Sequence, residues 1–130
     1  MLKTNRFYKE LGNLFYAVAA ADKKIRPEEI KTIHEEILHA WKLYDETLDR
    51  FGSGKAFLIE YEFETMEEEH ETAENAFSSF EQYFLENERG VDFDTRQKIF
   101  ESARHIAEST RKINTKELSY LLRIKNLLKI

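Results

Sequence analysis

Over most of the chain apolar residues recur at intervals of three and four, the signature of helices that bury one face. Between Lys3 and Ala21 they are Phe7, Leu11, Leu14, Phe15 and Val18, which predicts a first helix. Asp22 to Arg26 breaks the pattern. Pro27 then stands where a first-turn proline is tolerated, and Glu28 and Glu29 favour the positive end of a helix dipole. The second helix is predicted to run to about Leu48, burying Ile30, Ile33, Ile37, Trp41 and Tyr44, with a hinge at Gly52-Ser53-Gly54.

Residues 57–64 satisfy two periods at once. Ile59, Tyr61 and Phe63 alternate with Glu60, Glu62 and Glu64 as in a half-buried strand, while Ala56, Ile59, Phe63 and Met66 form a helical stripe. A lone strand with nothing to pair against is not stable, so a helix is predicted. Thr72 can cap a further helix carrying Phe77, Phe80 and Phe84, which ends near Glu88 before Gly90. Asp92 or Asp94 can cap the next, with Ile99, Phe100, Ala103, Ile106 and Ala107 buried. Thr115 can cap a last one that buries Leu118, Leu121, Leu122 and Leu128.

About six helices result, and composition agrees. One proline and four glycines in 130 residues leave few breaks, and 42% hydrophobic side chains supply one core. The expectation is an all-α chain, a single compact helical domain over residues 1–130. The absence of cysteine excludes a disulfide framework or thiolate metal site and fits a reducing compartment. The uncharged run from Leu11 to Ala21 is too short to span a membrane, and Lys9, Glu10 and Asn13 argue against a secretion signal. A cytoplasmic location is expected.

Two stretches look like copies of one unit. Ala19-Ala20-Ala21-Asp22-Lys23-Lys24-Ile25-Arg26-Pro27-Glu28-Glu29-Ile30 and Ala107-Glu108-Ser109-Thr110-Arg111-Lys112-Ile113-Asn114-Thr115-Lys116-Glu117-Leu118 share small residues, a polar turn, an isoleucine, a cap position and a glutamate. In each, Ile25 or Ile113 is predicted to plug the loop into the core between two helices.

This pattern resembles the tellurite-resistance TerB-like family, and is similar to the N-terminal domain of membrane-anchored J-domain co-chaperones. Their signature is an alanine-rich helix followed by Ala-Asp-Gly, a hydrophobic residue and a glutamate, matched here by Ala21-Asp22-Lys23-Lys24-Ile25-Arg26-Pro27-Glu28-Glu29. The resemblance implies an all-helical, non-catalytic domain acting in stress responses through binding partners. It also implies that acidic residues of the repeated loops hold a divalent cation such as calcium, which by position are Asp22, Glu29 and Glu117. Lys23 stands where the family has glycine, and Thr110 where the second copy would carry aspartate. Read as residues alone, Asp22 ends or caps a helix and Glu29 satisfies a first-turn dipole, so capping and cation binding both stay open.

Other chemistry fails on spacing. His34 and His39 are five apart, whereas a zinc-binding helical pair is four apart. Glu67 and His70 form a single Glu-x-x-His where a di-iron bundle needs two. Glu101 and His105 read as a lone surface pair. Asp92-Phe93-Asp94 opens like a calcium loop but has Gln97 and Ala103 where that loop needs glycine and glutamate. No Ser-His-Asp set or Gly-rich phosphate loop can be assembled, and no enzyme is predicted.

Charge is distributed unevenly. Glu60 to Glu88 holds eleven acidic residues and no lysine or arginine, while Arg104 to Ile130 holds seven basic and two acidic ones. The ordinary meaning of such runs is a solvated face. The sharper reading is an acidic docking stripe of Glu60, Glu64, Glu67 and Glu71, one helical face that would attract a basic protein. A net charge of −5 disfavours nucleic acid. Phe57, Tyr61, Phe63, Phe77, Phe80, Tyr83 and Phe84 supply more ring surface than a bundle this size requires, leaving room for a partner groove or a homodimer contact. The sequence thus predicts a non-catalytic protein-interaction module of TerB type, a stress-response adaptor, with a divalent-cation-binding domain as the alternative.

Overall fold

The structure, a computed structural model, describes residues 4–41, 55–109 and 113–130. Six α-helices follow one another: α1 (Asn5–Ala19), α2 (Pro27–Glu36), α3 (Leu58–Glu68), α4 (Ala73–Asn87), α5 (Phe93–Glu108) and α6 (Thr115–Leu128). No strand occurs among the described residues, and no helix there is long and apolar enough to cross a membrane. The two-period segment is helical because α3 sets Ile59 and Phe63 into the core and turns Tyr61, 63% exposed, to solvent. The predicted hinge at Gly52-Ser53-Gly54, and Tyr44, lie outside the described residues.

Helix α1 is the axis of the bundle. Thr4 caps it, its Oγ1 accepting from the Phe7 N–H at 3.1 Å. From Phe7 to Ala20 only Lys9 is exposed, and α3, α4, α5 and α6 all pack against this helix. A helix buried all round belongs at the centre of a core. Polar groups on it are partly matched: Ser79 of α4 donates to Glu10, 2.9 Å from each carboxylate oxygen, and Asn13 Nδ2 donates to Glu10 Oε1 at 3.0 Å, while Asn13 Oδ1 has no hydrogen-bond partner among the described residues. Gly12 lets α3 approach closely, since a Cβ there would stand 2.6 Å from the Ile59 carbonyl oxygen and 2.9 Å from Glu62 Cβ.

After Glu36 the second helix widens into a π-turn over Ile37–Trp41. Trp41 is buried and donates from Nε1 to Ser102 Oγ at 2.9 Å. Ser102 in turn donates to Glu36 Oε1 at 2.6 Å, and Glu36 Oε2 meets His105 Nδ1 at 3.0 Å. This relay fastens the π-turn to α5. Ser102 is buried and His105 does not reach it, so the set is a clamp and not a nucleophile with its base.

Three predicted core positions are corrected. Ile30, Leu118 and Leu122 are 39%, 47% and 54% exposed, and the buried face of α6 is instead Leu121, Ile124 and Leu128. Ile30 and Leu118 are equivalent positions of the two repeats. Each lies one residue after a fully buried glutamate, and that inward turn rotates the next residue outward. Asn114, not Thr115, caps α6, and Asp92 caps α5.

Candidate functional site

The two repeated loops close on each other at the start of α2 and α6. In the first, Glu29 Oε1 accepts from the Arg26 N–H at 2.8 Å. In the second, Glu117 Oε1 accepts from the Asn114 N–H at 3.1 Å while Asn114 Oδ1 accepts from the Glu117 N–H at 2.8 Å, a complete capping box. Both glutamates are fully buried, and their carboxyl groups lie near each other. Burial first, and then the Glu117 carboxyl, push Glu29 up to about 8, against the opposing pull of the Arg26 N–H and guanidinium. The Oε2 atoms of both residues have no hydrogen-bond partner among the described residues.

Asp22 joins the loops without entering that pair. Its Oδ1 accepts from the Lys24 N–H at 3.1 Å, and its Oδ2 accepts from Arg26 Nη2 at 3.0 Å and from Asn114 Nδ2 at 2.9 Å across to the second loop. Asp22, Glu29 and Glu117 thus lie in one neighbourhood, with Asp22 spent on a guanidinium and an amide and each Oε1 spent on a backbone N–H. Among the described residues no three histidine, aspartate or glutamate side chains are grouped so as to hold a metal ion. Ile25 and Ile113 both pack against the core, as loop plugs do.

The acidic residues from Glu60 to Glu71 line two depressions. One, of about 260 Å³, lies between α2 and α3, bordered by the exposed Ile30, by the buried Ile33 and Phe63, and by Glu60, Glu64, Glu67 and Glu68. The other, of about 580 Å³, lies between the end of α1, the turn from α3 to α4, and α6, and its wall carries Glu67, Glu71 and Glu74. Glu67 lines both. Glu64 is exposed, and Glu60, Glu67 and Glu71 are half-buried. Several of these carboxylates already have partners: Glu60 meets His34 Nδ1 at 3.2 Å, and Glu71 Oε1 accepts from the Thr72 N–H at 2.8 Å. Glu74 is held by Arg123 at 2.7 and 2.9 Å, which keeps its carboxylate below the usual range. At Tyr16, burial and the charges of Glu67 and Glu71 raise the hydroxyl, which donates to the Glu71 carbonyl at 2.7 Å.

The expected single helical face is corrected: Glu60, Glu64 and Glu67 lie on α3, whereas Glu71 lies three residues beyond its end, after the left-handed His70, and the four border two depressions that share Glu67. Periodicity alone assigns Ile30 to the core, so its exposure beside these carboxylates is not legible in the sequence. Two further lining residues, Lys23 and His70, have left-handed backbones with φ 65° and 53°. No family model matches the chain, and comparison with curated proteins and with solved structures finds no match.

Proposed function

We propose that this protein is a non-catalytic interaction module that docks a basic segment of a protein partner along α3. The observation that carries the reading is the placement of Glu60, Glu64, Glu67 and Glu71 along two depressions that share Glu67, with Ile30, 39% exposed, beside the smaller one. A concave surface walled by carboxylates favours an oppositely charged ligand. The TerB-like resemblance belongs to the same reading, as a cytoplasmic stress-response adaptor, and is supported by the way the two repeated loops pair through Glu29 with Glu117 and Asp22 with Asn114. Affinity capture with the wild-type chain and with Glu64→Lys/Glu67→Lys, followed by direct binding of each purified candidate, tests it. A partner whose direct binding is lost on charge reversal supports the reading; partners bound equally by both chains contradict it.

A second reading, a divalent-cation site, is favoured by one observation: the unpartnered Oε2 atoms of Glu29 and Glu117 face a common interior. Two free oxygens are a small part of the six to eight that calcium takes. Calorimetric titration of chelator-treated protein with calcium, magnesium, manganese and zinc decides it. Saturable binding lost in Glu29→Gln favours the ion, and its absence overturns this reading.

A further inference from the structure

The larger depression, of about 580 Å³ between the end of α1, the turn from α3 to α4, and α6, has the dimensions of a small-molecule site. Part of its wall is apolar. Ala20 is buried there, and Ile25, Ala73 and Tyr120 are half-buried and pack against the core. The buried Tyr16 hydroxyl borders the same space, donating to the Glu71 carbonyl and keeping its own oxygen as an acceptor.

Charged groups of both signs complete the wall. The Glu67 carboxylate and the Lys23 and His70 side chains make no hydrogen bond or ion pair among the described residues, whereas Glu74 is already matched by Arg123. Lys23 and His70 belong to different turns, yet both are left-handed. Of the three non-glycine residues with positive φ among the described ones, two therefore line this one cavity, and both carry basic side chains. Glycine would hold either turn at lower free energy, and strain of this kind gathers at ligand sites.

The mixture of charges narrows the ligand. A simple anion would meet Glu67 and Glu71, and a simple cation would meet Lys23. A molecule that carries both charges with an apolar body between them matches the whole wall, and two extended residues of peptide, about 7 Å long, match its size. We propose that this cavity binds a small apolar zwitterion of dipeptide size, its ammonium toward Glu67 and Glu71, its carboxylate toward Lys23 and His70, and its side chains on Ile25, Ala73 and Tyr120. The site is separate from docking along α3 and does not rest on it, since Glu64 lines only the smaller depression.

Calorimetric titration of the full chain with leucyl-leucine, its N-acetyl derivative, its C-terminal amide and glycyl-glycine tests the proposal. The expected result is saturable binding of leucyl-leucine, about tenfold weaker binding of each capped form, and none of glycyl-glycine. Lys23→Gly separates a ligand-binding role from a structural one. It relieves the left-handed strain, so its melting temperature should rise while its affinity for leucyl-leucine falls about tenfold. Ala73→Phe, which fills the cavity from α4 without changing a charge, should abolish binding. Equal affinity for the free and capped dipeptides overturns the zwitterion. Undiminished binding by Lys23→Gly or by Ala73→Phe puts the ligand elsewhere and overturns the site, as does an absence of saturable binding to the wild-type chain. None of these failures touches the docking reading, which is decided separately by Glu64→Lys/Glu67→Lys.

Discussion

Glu29 and Glu117, equivalent residues of the two repeats, are both fully buried with their carboxyl groups near each other, and burial together with the Glu117 carboxyl raises Glu29. Each is also the third residue of its helix and accepts the backbone N–H of its own cap, so these two side chains start two helices.

The pair makes stability depend on pH with a definite sign. Glu29 is raised from 4.5 to about 8 in the folded chain, so between those values the unfolded chain holds fewer protons than the folded one. Stability therefore falls as pH rises across that window, by at most about 1.4 kcal/mol per pH unit from this group, and levels off above it. Urea unfolding at several pH values should show this slope. Glu117→Gln, which removes the neighbouring carboxyl and offers an amide donor to the Glu29 carboxylate, should flatten it.

Asn114 both caps α6 and holds Asp22 of the other loop. Asn114→Ala should cost about 1–2 kcal/mol for the cap, plus about 1 kcal/mol for a hydrogen bond to a charged group. Thr72→Ala removes a cap alone and should cost only the first part. Equal costs for the two variants in chemical denaturation would contradict the cross-loop role of Asn114.

At Gly12 the close approach of α1 and α3 leaves no room for a methyl group. Although alanine is the better helix former, Gly12→Ala should destabilise by about 1–3 kcal/mol, because the backbone of α3 must move. A raised melting temperature would show that α3 can retreat freely.

Lys23 and His70 are held in the left-handed region, and neither side chain has a hydrogen bond or ion pair among the described residues. Glycine at either position should stabilise by a few tenths to about 1 kcal/mol. Lys129, also left-handed at φ 59°, pairs with Glu88, so Lys129→Gly should gain less. Thermal melts of the three variants check the order.

Much of this was legible because helices announce themselves by period and cap. The start of α4 at Thr72 followed from one residue, that of α5 was narrowed to Asp92 or Asp94, and the helix at 58–68 followed from the absence of a second strand. The pairing of the loops was legible as a repeat, which brought Asp22, Glu29 and Glu117 to notice, but not as a pair of buried acids. Nothing in the spacing says that a first-turn glutamate turns inward, or that Ile30 and Leu118 therefore turn outward. The π-turn at Ile37–Trp41 depends on a tertiary clamp through Ser102 and Glu36, which no local pattern encodes. The exposure of Ile30 beside the acidic wall was hidden for the same reason: periodicity finds apolar faces without saying which residues of them stay uncovered.

The most direct test of the docking surface is an NMR titration of the isotope-labelled chain with a lysine-rich peptide, followed through backbone amide shifts. The predicted result is a continuous set of perturbations from Glu60 to Glu71 and around Ile30, absent in Glu64→Lys/Glu67→Lys. Shifts gathered instead on the exposed Leu118 and Leu122 face of α6, or at Leu85 and Phe93, with α3 unmoved, would contradict it.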